Sequence, residues 1–195
     1  MKKSTEKTRC VWPKDDPRMI EYHDREWGVP QHDDKILFEY IVLDTFQAGL
    51  SWAIVLKKRG GFSNAFKCFE VHKVAKMSDK DVERLMKDVN IVRNRLKIAG
   101  TIKNAKAFIA IQKEYGSFGK YLWAFVGNKT IVNKHKISSS IGTHSKESDA
   151  LSADMKKRGF TFVGTTICYA FMQGAGLVND HLVSCFRYSQ LQHKK

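Results

Sequence analysis

The sequence predicts an all-α fold on three observations. Its three prolines, Pro13, Pro17 and Pro30, all fall in the first thirty residues; apolar residues beyond them recur at three- and four-residue spacing; and no run alternates apolar with polar as a sheet requires. From Lys35 to Arg59 apolar residues occupy nearly every side, which predicts a buried central helix or two abutting ones. Ser78 with Asp81 three residues on predicts a capping box for a helix carrying Val82, Leu85, Met86 and Val89. Ile91, Ile98, Ile102, Ala105 and Ile109 keep a helical stripe from about residue 91 to 113, and Phe118, Leu122, Phe125 and Val126 a shorter one. Residues 127–147 form the one long polar stretch, expected to be functional or mobile. Ser148–Arg158, Gly159–Gly164 and Thr165–Gln173 then read as helix, tight hairpin, helix. Gly159 and Gly164 permit the turn's backbone angles, and Thr165 or Thr166 can cap the second helix. At 195 residues the whole chain is expected to form one domain.

Charge narrows the partners. Lys and Arg number 34 against 20 Asp and Glu, a formal charge of +14, which favours a polyanion and above all nucleic acid. The basic residues cluster at Lys57–Arg59, at Arg93, Arg95 and Lys97, at Lys134–Lys136 and at Lys156–Arg158. Each cluster is either a solvated face or part of a phosphate-following surface. No apolar run reaches the roughly 18 residues needed to span a bilayer. Met1–Lys7 is followed by no apolar leader segment, so a cytosolic location is expected. In that compartment Cys10, Cys68, Cys168 and Cys185 are expected to be thiols or metal ligands rather than disulfides.

Two constellations carry chemistry. His181 and Cys185 stand at i and i+4, on one face if the segment is helical, and Cys10 and His23 lie near the other end of the chain. Together they are either ordinary buried residues or a closed tetrahedral zinc site without room for a reactive water. The second constellation is aromatic with one carboxylate: Tyr22, Trp27, Asp44, Gln47 and Trp52. Aromatic residues at helical spacing are usually core. Asp44 is the unusual member, because an acid in so apolar a helix faces either water or a ligand that compensates it. The hairpin before Thr165 presents free backbone N–H groups suited to a phosphate oxygen, or is simply a connector between core helices.

Glu21–Pro30, Gln47–Trp52, Lys157–Phe160, Phe162–Tyr169 and Gly176–His181, in that order, resemble the 3-methyladenine DNA glycosylase I family. The resemblance runs from Cys10 to about Tyr188. It implies an all-α helix-hairpin-helix glycosylase domain with that motif at about residues 149–174. Lys157, Arg158, Gly159, Gly164 and Thr165 would then contact DNA, and one structural zinc on Cys10, His23, His181 and Cys185 would clip the two ends together. It also implies a base pocket at Tyr22, Trp27, Trp52 and position 44, with Gln47 beside it. The expected activity is monofunctional hydrolysis of 3-methyladenine from double-stranded DNA by base flipping, performed by a monomer without lyase chemistry.

Two positions depart from the family pattern. Asp44 stands where the family has Glu, which withdraws the carboxylate by about 1.5 Å, and Met19 stands where well-known members have tyrosine. These departures keep two alternatives in view: a glycosylase with altered lesion preference, or a zinc-clipped protein that binds lesions without turnover.

Overall fold

A computed structural model describes residues 7–192; the amino-terminal stretch read for a leader lies, apart from Lys7, outside the described residues. The chain is mostly helical, as expected. Its helices are α1 (Pro17–Arg25), α2 (Asp34–Gln47), α3 (Trp52–Lys57), α4 (Arg59–Ala65), α5 (Val71–Val74), α6 (Asp79–Leu85), α7 (Arg95–Tyr115), α8 (Phe118–Ala124), α9 (Lys146–Lys157), α10 (Thr165–Gly174) and α11 (Phe186–Gln192). The apolar stretch from residue 35 to 59 resolves into abutting helices, α2 and α3, parted at Gly49 with φ +82°. No described helix is long and apolar enough to cross a membrane.

α2 is the axis of the core. Asp33 caps it, accepting from the Lys35 and Ile36 backbone N–H groups at 2.9 and 3.1 Å. Beyond the first turn it is buried on all sides, from Leu37 to Phe46, because α7, α8 and α10 flank one part of it and α3 and α4 another. Phe38 meets Phe108 edge-on at 5.3 Å, and Phe108 stacks on Phe118 at 4.1 Å. Asp34 ties the start of α2 to α8: its carboxylate accepts from the N–H groups of Phe118 and Gly119 at 2.9 and 2.8 Å. These are donors an α-helix leaves unpaired at its N-terminus.

Several local expectations need correction. Asp81 does reach back to the Ser78 N–H at 3.0 Å, but α6 ends at Leu85 and Val89 lies exposed beyond it. Lys97 does not belong to a solvated basic face. It is buried and donates to the carbonyls of Phe46 and Ala48 at 2.9 and 2.5 Å, satisfying the C-terminus of α2; burial pushes its ammonium below the ordinary lysine value. Arg59 is half-buried and bridges Glu26 and Glu39 at 2.7 Å each.

The polar stretch 127–147 is ordered against the rest of the fold. Ile131–Val132 (β1) pairs in parallel with Val178–Asn179 (β2), and the His135 carbonyl accepts from the Val183 N–H at 2.9 Å. Gly176 lets the C-terminal segment return beside residues 29 and 30: φ is +75°, and a Cβ there would stand 2.4 Å from the Pro30 nitrogen.

Candidate active site

Six segments converge on one cavity of about 370 Å³. The turn ahead of α1 brings Trp12; α1 and the turn after it bring Tyr22 and Trp27; the last turns of α2 bring Asp44 and Gln47; α3 begins with Trp52. Ser138 and Ile141 enter from the 127–147 stretch, and Ala170 and Gln173 from α10. Asp44 with Gln47, and Ala170 with Gln173, are spaced three apart and so share a helix face. Trp12 and Trp27 meet edge-on at 5.2 Å, and Tyr22 tilts against Trp52 at 5.2 Å. Gly174 leaves room for the Tyr22 hydroxyl, which would lie 3.1 Å from a Cβ at that position.

Three of the cavity's polar atoms lack partners. The indole N–H groups of Trp12 and Trp52 and the Ser138 hydroxyl are buried without hydrogen bonds. Asp44 is 6% exposed, and burial alone, with no compensating cation, pushes its carboxyl well above the usual range. Burial, reinforced by Asp44, also raises the Tyr22 phenol. Leaving a buried polar group unpaired costs roughly 1–3 kcal/mol, so these groups are hydrogen-bonding positions that a molecule in the cavity can use.

Beside this wall, Cys10, His23, His181 and Cys185 are all buried, their ligand atoms within 4.8 Å of one another. This group could hold a metal ion. Cys185 Sγ lies 3.5 Å from both His23 Nε2 and His181 Nδ1, and Cys10 Sγ lies 3.6 Å from His181 Nδ1. The other ring nitrogens are oriented: His23 Nδ1 meets Asp24 at 2.8 Å and His181 Nε2 meets the Trp27 carbonyl at 3.0 Å. Arg9 holds Asp24 from the far side at 2.8 Å. Burial pushes the Asp24 carboxyl up, but hydrogen bonds from Arg9 and His23 outweigh it and hold it below its ordinary value. One expectation fails in detail. His181–Cys185 is not helical; the segment is a turn closed by Cys185 N–H on the Leu182 carbonyl at 2.8 Å, with α11 starting only at Phe186. In this turn the Leu182 N–H donates to Cys10 Sγ at 3.4 Å.

The family model described as methyladenine glycosylase matches residues 12–188. This chain belongs to that family. It is 51% identical over 180 residues to DNA-3-methyladenine glycosylase 1 of Escherichia coli (strain K12), covering 92% of this chain and 96% of that one. A crystal structure of 3-methyladenine DNA glycosylase I superposes with a TM-score of 0.90 at 47% identity, covering 92% of this chain and 98% of that one. A variant of 3-methyladenine DNA glycosylase I in complex with 3-methyladenine superposes at 0.89 with 37% identity, covering 91% and 96%.

In this methyladenine glycosylase chain, α9 and α10 are joined by the turn at residues 158–164. Gly159 needs its glycine, with φ +92°, whereas Gly164 sits at φ −62°, open to any residue. Phe162 takes the other strained position at φ +58°, packed where a Cβ on Gly100 would be 3.1 Å away. Neither Thr165 nor Thr166 caps α10. Gly164 is the N-cap and supplies no side chain, while the Thr165 hydroxyl is taken by Asp149 and Ser148. Lys157 is exposed. Arg158 is committed within the fold, paired with Glu114 and Asp154 at 2.6 Å each and lying over the Tyr115 and Tyr121 rings.

Tyr22, Trp27, Asp44, Gln47 and Trp52 all reach the cavity; Met19 lies on α1 outside its lining. Sequence reasoning missed Trp12, Ser138, Ile141, Ala170 and Gln173. Trp12 had a signal, standing two residues from a candidate ligand; Ser138 and Ile141 sit in an irregular stretch whose path no periodicity reveals.

Proposed function

We propose that the protein is a monofunctional DNA glycosylase that hydrolyses the N-glycosidic bond of 3-methyladenine in alkylated double-stranded DNA, acting as a single-domain monomer in the cytoplasm. The observation that carries this reading is Asp44, a buried carboxylate without a counter-charge on a cavity walled by indole and phenol rings. Methylation at N3 gives adenine a positive charge. A flipped-out cationic base supplies the charge Asp44 lacks and stacks on electron-rich rings, at about 1–2 kcal/mol per desolvated cation–π contact. Neutral adenine offers neither term and is left in the duplex.

The same charge makes the base a good leaving group, so no side chain needs to protonate it. Asp44 has two tasks: to hold the cation, and to steady positive charge on the sugar as the bond lengthens. Water then adds to the sugar. No lysine is among the described residues lining the cavity, so hydrolysis rather than Schiff-base chemistry fits the site. The test is release of free base from methylated DNA. Wild type is expected to release 3-methyladenine, and Trp52→Ala to lose about tenfold or more of kcat/KM. Release at the spontaneous rate by well-folded wild type would remove the reading.

DNA is held, in this proposal, by α9, the turn and α10 acting as a helix-hairpin-helix motif. Gly159 and Gly164 leave open space where a Cβ would stand, and the first N–H groups of α10 have no side-chain cap, so a phosphate can approach the backbone beside Thr165. Lys157 adds a free charge. Lys157→Ala is expected to weaken binding alike on all sequences and to reduce the log–log salt slope by about one, measured by fluorescence anisotropy.

Zinc is the metal the donor set fits. Bonds of about 2.3 Å to sulfur and about 2.0–2.1 Å to nitrogen at tetrahedral angles separate the two donors by about 3.6 Å. The Sγ–N distances of 3.5–3.6 Å agree. Four protein ligands leave no position for a reactive water, so the ion's contribution is structural.

A further inference from the structure

We propose that Gln173 selects adenine-type over guanine-type alkylated bases, its amide oxygen aimed into the cavity because Asp180 holds its amide nitrogen. The inference rests on the glycosylase reading and adds the residue that reads the base's six-position. Gln173 lies in the last turn of α10, and its side chain lines the cavity. Its Nε2 donates to Asp180 Oδ2 at 2.7 Å. Asp180 is 1% exposed and is itself fixed, accepting from the Asn133 amide at 2.7 Å and the Tyr169 hydroxyl at 2.8 Å. His135 Nε2 stands 3.2 Å from Oδ1 but is not aligned to donate.

A carboxylate only accepts hydrogen bonds. Turning the Gln173 amide over would place its oxygen against Asp180 Oδ2, two acceptors without a proton between them. The amide orientation is therefore dictated by its partner. Oε1 makes no hydrogen bond within the described residues and remains an unused acceptor.

The cavity thus carries two acceptors on neighbouring helices, Asp44 on α2 and Gln173 on α10. An adenine-type base has an exocyclic amine with two N–H bonds, one for each acceptor. A guanine-type base has a carbonyl oxygen there, so its lone pairs meet acceptors and neither side is satisfied. Leaving such groups unpaired is what lets a polar site reject a near-isostere. Asp180 acts as a positioning residue: it touches no base, and it links the oxygen's direction to the 127–147 stretch through Asn133.

The experiment measures release of 3-methyladenine and 3-methylguanine from one methylated DNA, with binding of each free base followed by tryptophan fluorescence. Gln173→Met keeps length and volume but removes the acceptor, and Gln173→Ala is the second variant should Met disturb packing. Wild type is expected to favour 3-methyladenine, and both variants to narrow the ratio about tenfold or more through loss on the adenine side. Asp180→Asn, which can face the amide with either oxygen or nitrogen, is expected to narrow it partly, whereas a merely structural role would slow both bases equally. An unchanged ratio in a folded Gln173→Met that still excises 3-methyladenine overturns the inference and leaves the glycosylase reading intact. Failure of wild type to release either base overturns both.

Discussion

In the Asp44→Asn variant, release of 3-methyladenine is expected to fall to the spontaneous rate while the protein becomes harder to unfold. Both effects come from the same carboxylate. Burial holds the Asp44 carboxyl well above the usual range, so the folded protein keeps a proton that the unfolded chain gives up above about pH 4. Wild type therefore loses stability as pH rises from there toward the folded-state pKa, by about 1.4 kcal/mol per pH unit from this group. Asparagine does not titrate, and other groups cancel in the comparison. Thermal midpoints of the two proteins are expected to coincide near pH 4 and to diverge above it by roughly 3–6 °C per pH unit, with the variant higher. Excision runs the other way. In the proposed mechanism the cationic base pairs with the ionised carboxylate, so wild-type kcat/KM is expected to rise with pH along the Asp44 ionisation. Asp44→Glu is expected to retain release, since the cavity of about 370 Å³ has room for one methylene. Parallel midpoints for wild type and Asp44→Asn from pH 4 to 8 would show that the carboxylate is not held protonated by burial.

The division between what the sequence disclosed and what it hid follows from range. Helix positions were legible because apolar spacing reports which face is buried, and α2 announced itself by being apolar on nearly every side with Asp44 inside its most apolar stretch. Asp44 was legible as chemistry for the same reason. Ends were less so: α6 stops at Leu85, with Val89 exposed, because termination depends on packing rather than on periodicity. Lys97 and Arg158 looked like surface charge, yet each is consumed by partners far along the chain, the carbonyls of Phe46 and Ala48 in one case and Glu114 in the other. No local pattern encodes such partners. Gln173 was invisible for a sharper reason: its meaning lies in which of two atoms faces the cavity, and a contact with Asp180 decides that.

Removing the metal is expected to undo the pocket before it undoes the helices. The principal core runs through α2, α4, α7, α8, α9 and α10 and contains none of the four ligands. Cys10, Tyr22, Trp27, Leu182 and Cys185 form a separate small cluster, with Trp12, Trp52 and Ile141 packed against it. Two members of that cluster are ligands, and most of the others wall the cavity. In the zinc-clip proposal such a satellite cluster is too small to hold the two segments by apolar burial alone; the bonds of a bound ion would supply the closure, and metal binding would become folding energy for this part of the chain. One zinc per chain is expected by elemental analysis. Chelation, or Cys185→Ser, is expected to abolish 3-methyladenine binding and near-ultraviolet aromatic dichroism while most far-ultraviolet helical signal survives at low temperature. Thermal unfolding should then begin well below that of the metal-loaded protein, and added zinc should restore the chelated wild type. A metal-free preparation that binds the base with undiminished affinity would show that the aromatic wall stands without the clip; the four side chains would then be a buried polar cluster and not a metal centre.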